Sequence, residues 1–274
     1  MNVSRPPVTH LTAESSAPNA ALLGDSSLQS EVLEDLAAAA NYREWLVGLV
    51  HAWLASPCIE IGSGLGLYAQ ELSDRGLQLT ATEADHGRLA ALRARFAQSD
   101  SVRVEELTVP VDRKGDYASL VSFNVLEHIV DDVSALRAFA GLCQPGATIV
   151  AVVPAFPIGM SRFDREIGHV RRYRKRTLQA SAEAAGLEGI ELRHVNSLGL
   201  IAWVLLVRLG HGRPRHGLGL RVFDGVIVPM LARLERRHEP PFGQSLILRA
   251  RVPRERVSAA SDSLSARRSA QDAG

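Results

Sequence analysis

Cysteine, lysine and methionine are scarce in this chain of 274 residues: two cysteines, two lysines and three methionines, with aromatic side chains at 5%. Two cysteines, Cys58 and Cys143, both in apolar surroundings, exclude a disulfide framework and a cysteine-rich metal finger; they suit buried thiols in a reducing compartment. A large charge of one sign is missing too. The balance of 31 basic and 30 acidic residues leaves a net +1, so no global field draws nucleic acid. No apolar run reaches the roughly 18 residues of a membrane span, residues 198–207 being the longest candidate, and none of signal-peptide length precedes Ser26. A cytoplasmic protein is the expectation. No Gly-Lys-Ser or Gly-Lys-Thr is present, which excludes a Walker phosphate loop.

What the chain does have is glycine in one telling place. Residues 58–68 read Cys-Ile-Glu-Ile-Gly-Ser-Gly-Leu-Gly-Leu-Tyr, an apolar strand ending in three alternate glycines. Gly62, Gly64 and Gly66 permit tight, positive-φ backbone against which a ligand can lie. The acid just upstream, Glu60, disfavours a phosphate and suits a ligand carrying an ammonium or sulfonium group, as S-adenosylmethionine (SAM) does. A dinucleotide fingerprint, Gly-x-Gly-x-x-Gly, would require its third glycine where Leu67 stands.

Residues 1–30 are rich in Ser, Ala, Pro, Asn and Thr without period and read as a disordered N-terminal tail; 253–274 read as a second one. Between them lies one domain, 31–252. Helical spacing over 31–54 predicts two helices interrupted at Asn41. Strands are expected at 58–61, 78–82, 102–105, 117–123, 148–153, 187–194 and 245–252, separated by helical stretches, with Thr177 capping the helix before the sixth strand. This alternation implies a mainly parallel sheet with helices on both faces and a ligand beyond the carboxyl ends of its strands. Glu83 stands about 20 residues after the first glycine, where such folds place an acid to accept from ribose hydroxyls.

These residues resemble the class I SAM-dependent methyltransferases. The glycine stretch is similar to their first motif and Glu83 to their ribose acid. Asn124-Val-Leu-Glu-His-Ile129 with Asp131-Asp132 resembles their fourth-strand motif, and Gln144-Pro-Gly146 the turn before their fifth strand. Together these span Asn41 to about Pro154. Asp164, Gly168-His169, Arg171-Arg172-Tyr173 and Pro241-Phe242-Gly243 resemble a bacterial branch of the family and carry the match to about Val252. The resemblance implies a Rossmann-like, seven-stranded, mostly parallel sheet with a C-terminal helical lid insertion at about 197–240. It also implies SAM as cofactor. Two departures stand out: the ribose acid is Glu83 where the family more often has Asp, so the longer side chain must retract or the ribose must shift, and the turn before Cys58 is compressed.

Carried over residue by residue, the resemblance puts Gly62, Gly64 and Gly66 against the methionine part of SAM, with Glu60 near its amino group. Glu83 falls on the ribose, Glu106 and Leu107 beside the adenine, and Asn124 near the methyl group. His169 and His128 are the candidate bases, since imidazole titrates in the useful range. Arg172 and Tyr173 are candidate contacts for the acceptor. Glu127-His128 resembles a pair that can hold a divalent cation in ubiquinone-pathway O-methyltransferases, but Asn124 stands where a further carboxylate would complete that group, so no metal is expected. The function implied is methyl transfer from SAM to a small-molecule acceptor. Its rivals are an NAD-dependent oxidoreductase and a non-catalytic SAM-binding protein; a nucleic-acid methyltransferase would need an Asn/Asp-Pro-Pro-Tyr/Phe motif that is missing. The apolar residues Trp203, Leu205 and Leu206, beside Arg208, Arg213 and Arg215, read as core, as a lid, or as a face for a membrane or lipid-like acceptor.

Overall fold

The apolar run Cys58–Ile61 forms β1, buried at all four positions, and the rest of the sheet assembles around it. In the computed structural model, which describes residues 28–30, 38–210, 217–236 and 238–254, seven strands lie in the order β3-β2-β1-β4-β5-β7-β6. They are β1, β2 (Leu79–Glu83), β3 (Val102–Glu106), β4 (Tyr117–Phe123), β5 (Cys143–Pro154), β6 (Glu188–Val195) and β7 (Ser245–Arg251). The first five run parallel, and β7 is antiparallel to both β5 and β6. Strands buried on both faces need helices on both sides, and the core accordingly splits in two. One half packs Phe139, Leu136 and Leu178 against Leu120, Ile149 and Leu248; the other packs Leu46, Leu72 and Leu92 against Ala81, Val121 and Ile247.

The helices are α1 (Ala40–Val50), α2 (Leu67–Asp74), α3 (His86–Arg95), α4 (Asp132–Leu142), α5 (Arg162–Glu166) and α6 (Lys175–Ala184). Two longer helical segments follow. Ser197–Ala202 continues as the π-helical stretch Trp203–Leu209, and Leu218–Val222 continues through the π-helical Phe223–Ile227 into Val228–Glu235. No described helix is long and apolar enough to cross a membrane.

Several expected boundaries shift for local reasons. Asn41 does not interrupt a helix: it lies in the first turn of α1, where its backbone and side-chain N–H groups donate to Asp224 Oδ2 at 3.1 and 3.2 Å. Residues 31–37, expected to carry a further helix, lie outside the described residues, as do 1–27 and 255–274 of the two expected tails. Thr177 is not the cap of α6. That helix begins at Lys175, and Thr177 Oγ1 instead accepts the Arg174 backbone N–H at 3.0 Å. β5 starts at Cys143 rather than 148, because Tyr117 pairs with Cys143 across a register shift ahead of the regular ladder. Cys58 and Cys143 are both buried free thiols.

Candidate active site

Parallel strands β1, β2 and β4 end side by side, so the loops that follow them converge. After β1 the chain turns through Gly62 (φ +69°), Gly64 (φ +57°) and Gly66 (φ +78°), left-handed conformations that favour glycine. Contacts fix the same choice at two of them. A Cβ on Gly62 would lie 2.7 Å from Val125 Cγ2, and one on Gly66 would lie 2.7 Å from both Leu92 Cδ1 and Phe96 Cε2. Val125, from the loop after β4, is thus packed directly over the turn. Its neighbour Asn124 is exposed and holds φ +54°, a conformation asparagine tolerates better than most residues, while its N–H donates to Val152 O at 2.8 Å.

Glu83, the last residue of β2, reaches into the same turn. Its Oε2 accepts the Gly64 N–H at 2.9 Å; its Oε1 accepts the N–H groups of Ala84 and Asp85 and the Arg88 guanidinium at 3.0, 2.9 and 3.2 Å. Arg88, on α3, is a partner that sequence pattern did not single out. A carboxylate oxygen has two lone pairs, so Oε2, with one donor, keeps further acceptor capacity while three donors hold the other oxygen. The longer glutamate is thereby retracted and fixed. Glu106 is exposed at the end of β3 opposite Glu83, 3.6 Å from His86 Nδ1, whereas the Leu107 side chain packs into the core and its N–H donates to Glu83 O at 3.2 Å. Glu60 lies behind the turn, buried, with Ser63 Oγ donating to it at 2.8 Å. Burial, aided by the nearby Glu83 charge, raises its pKa to about 7 against the Ser63 hydrogen bond. Beside the turn, Tyr68 stacks on Phe123 with ring centroids 4.0 Å apart.

A second group gathers where the loop after β5 folds back over the end of β4, tied there by the Val170 N–H donating to Glu127 O at 2.9 Å. Ser161 caps the short α5 in a reciprocal box with Asp164. That box aims the other Asp164 oxygen at three donors: Arg172 Nε at 3.0 Å, Arg172 Nη2 at 2.7 Å, and His169 Nδ1 at 2.9 Å. Burial would push the Asp164 carboxyl upward, but His169, Arg172 and Ser161 hold it below the usual carboxylate range. With Nδ1–H given to Asp164, His169 presents the lone pair of Nε2, 3.8 Å from Glu127 Oε1. Glu127 is fully buried, and neither of its oxygens has a hydrogen-bond partner. Burial raises its pKa to about 7, opposed by the neighbouring His169 and the Arg172 guanidinium. His128 meets the His169 ring edge-on with centroids 4.7 Å apart; burial and the neighbouring His169 lower its pKa to about 3. Glu127, His128 and His169 each offer one ligand atom within 4.8 Å of the others, a set able to hold a cation.

A model of the family described as "Methyltransferase domain" matches residues 28–192, more than half of the chain. The chain belongs to the methyltransferase-domain family. With the sheet order and the glycine turn, this makes it a class I SAM-dependent methyltransferase, whose cofactor is S-adenosyl-L-methionine. It is 27% identical over 159 residues to a ubiquinone biosynthesis O-methyltransferase of Bordetella parapertussis, covering 49% of this chain and 63% of that one. Over 107 residues it is 31% identical to an uncharacterized methyltransferase of Mycobacterium bovis, covering 38% of this chain and 54% of that one. The methyltransferase spans about half the length of the curated relatives it matches. Among solved structures it is similar to a SAM-dependent methyltransferase from Thermotoga maritima, with a TM-score of 0.53 at 13% identity over 82% of this chain and 98% of that one. It also resembles the [4+2]-cyclase SpnF, with a TM-score of 0.52 at 16% identity over 85% and 98%. Since one fold serves both chemistries, the reaction must be argued from the site.

Two expected acceptor contacts of the methyltransferase turn inward. Arg172 is buried and spends its fork on Asp164, and its guanidinium lies 4.8 Å over the Trp203 ring. Tyr173 is 1% exposed and its hydroxyl donates to Asp132 Oδ2 at 2.9 Å. Both brace the loop that carries His169. His128, with its pKa lowered, is a poor base beside His169. Sequence pattern gives Arg88 no role, and gives Asp164 only a place in the branch resemblance; the Ser-x-x-Asp capping signal at Ser161 is a further local sign of it.

Proposed function

We propose that this methyltransferase moves a methyl group from SAM to a hydroxyl or amine of a small-molecule acceptor, with His169 as general base and Asp164 as the residue that orients it. The observation that carries the reading is the Asp164–His169 pair, 2.9 Å apart at Nδ1, which leaves Nε2 as the proton-accepting atom. SAM supplies a methyl carbon already activated by its sulfonium, so the protein's tasks are alignment and exclusion of water. Gly62, Gly64 and Gly66 would hold the methionine part, Glu83 Oε2 a ribose hydroxyl, Glu106 and the backbone at Leu107 the adenine edge, and Asn124 the region near the methyl group. As the acceptor oxygen or nitrogen takes up the methyl group, its proton passes to His169 Nε2, and the Asp164 carboxylate stabilises the imidazolium. The helices Ser197–Ala202 and Val228–Glu235, with the segments joined to them, would act as a lid over the acceptor.

The ubiquinone biosynthesis O-methyltransferase among the relatives supports a hydroxyl on a small molecule as the acceptor class. The test is release of S-adenosylhomocysteine from SAM with a panel of phenols, hydroxy acids and amines. Turnover with at least one hydroxyl or amine, lost in His169→Ala while SAM still binds, is the expected result. Tight SAM binding with no turnover on any of them would leave the non-catalytic reading standing instead.

A further inference from the structure

The large apolar side chains exposed on the described surface are concentrated in two late stretches of the chain. Of the 14 that are exposed, ten lie on the two late helical segments. On the second segment they recur every fourth residue: Leu218, Val222, Val226, Met230 and Leu234. Leu218 is 79% exposed and Val226 64% exposed. On the first, Leu198, Ile201, Leu205 and Leu209 recur at spacings of three and four, with Leu206 beside them at 68% exposed. Such spacing puts each set along one side of its helix. The opposite sides are already in use. Val228, Leu231 and Glu235 are buried on the second segment, while Trp203 of the first donates Nε1–H to Gly159 O at 2.9 Å and packs under Arg172. The outward stripes therefore cannot be explained as core.

Charge on these segments is sorted as well. The two acids, Asp224 and Glu235, are buried and turned inward, Asp224 accepting from the N–H groups of Asn41 and Tyr42, and Glu235 from those of Asn196 and Ser197. Arg208, Arg221, Arg233 and Arg236 are all exposed. Among the described residues of both segments, every exposed charge is positive. Apolar stripes flanked by arginine alone complement one kind of surface, the interface of a bilayer with anionic headgroups, where apolar side chains enter the acyl boundary and guanidinium groups stay with the phosphates.

We propose that the outer face of these two helical segments docks on an anionic membrane surface, lying in its plane without crossing it. Soluble partners with acidic surfaces would match the arginines but not the length of both apolar stripes. Docking would bring the Asp164–His169 loop, against which Trp203 packs, close to the lipid boundary.

The test is flotation of the full chain with vesicles of about 3:1 phosphatidylcholine to phosphatidylglycerol, compared with phosphatidylcholine alone. The expected result is co-flotation with the anionic vesicles, at least about tenfold weaker with neutral ones, and a further tenfold loss in a Leu206→Glu, Val226→Glu double variant. Both positions are exposed, so the variant should keep its circular dichroism and melting temperature. Absence of flotation with anionic vesicles, or equal flotation of the double variant, overturns the proposal. So does a dimer in light scattering that the same variant dissociates, because the face would then belong to a second copy of the chain. Vesicle binding needs neither SAM nor an acceptor, so its failure leaves the methyl-transfer reading as it was.

Discussion

His169 and Asp164 are joined through Nδ1 and Oδ1 at 2.9 Å, and the same Asp164 oxygen takes both the Nε and Nη2 donors of Arg172. One buried carboxylate thus holds a histidine on one side and is held by an arginine on the other. His169→Ala should lower turnover by about 10² to 10⁴-fold with the SAM dissociation constant unchanged. Arg172→Met should lower turnover less and change its pH profile, since Asp164 would lose the partner that keeps it ionised beside His169. Equal turnover of His169→Ala and the parent protein would remove the base. If Nε2 works as a base without a metal, dialysis against EDTA should leave turnover intact; a loss restored by one divalent cation would instead assign Glu127, His128 and His169 to that ion.

Glu83 divides its oxygens, three donors on Oε1 and the Gly64 N–H alone on Oε2. Glu83→Gln removes the charge and one acceptor from the glycine turn. Calorimetric SAM affinity should fall by about 10 to 100-fold, the cost of a charge-assisted hydrogen bond. An unchanged affinity would take Glu83 out of the cofactor site.

Glu60 has its pKa raised from 4.5 to about 7 by burial. An acid that binds its proton more tightly when folded loses stability as pH rises, here between about pH 4.5 and 7 and fully above that. Glu60→Gln imitates the protonated acid at every pH. It should match the parent at pH 4 and exceed it at pH 8 by an amount on the order of 3 kcal/mol, read from denaturant titrations. A gain of the same size at pH 4 would contradict the burial account.

Gly62 and Gly76 both hold positive φ, +69° and +92°, but a Cβ on Gly76 meets nothing within 4 Å while one on Gly62 runs into Val125. Gly62→Ala should therefore cost on the order of 1 to 3 kcal/mol and weaken SAM binding, and Gly76→Ala should cost less and leave binding alone. Thermal melts with and without SAM separate the two.

The glycine turn and the acid beside it were legible because their signals are local. Three glycines after a buried strand, and an acid at the end of the next strand, describe a turn whose geometry needs only neighbouring residues. The base side is different. Arg171, Arg172 and Tyr173 look alike in sequence whether they face an acceptor or the interior, and only the folding of the loop back onto Glu127 decides that Arg172 and Tyr173 are braces. Glu127 could be read as a loop former, yet its significance is that nothing hydrogen-bonds its carboxylate. Helix ends were predicted less well than helices, as at Thr177, where the side chain reaches back to a residue that starts the helix earlier.

The bonds from Asp224 to the N–H groups of Asn41 and Tyr42 bear on how the chain is made. Ala39 provides no side-chain cap for α1, and the carboxylate that meets the first turn comes from 182 residues further along the sequence. A favourable anion at a helix start is usually supplied by the residue next door. Here it arrives only after residue 224 has been made. During synthesis the first amide groups of α1 must wait on water while strands β1 to β5 can already pair. The contact is then a clasp between residues 41–42 and residue 224, made only once the second late helical segment is in place, and a fragment stopping at residue 192, where the family match ends, would lack it.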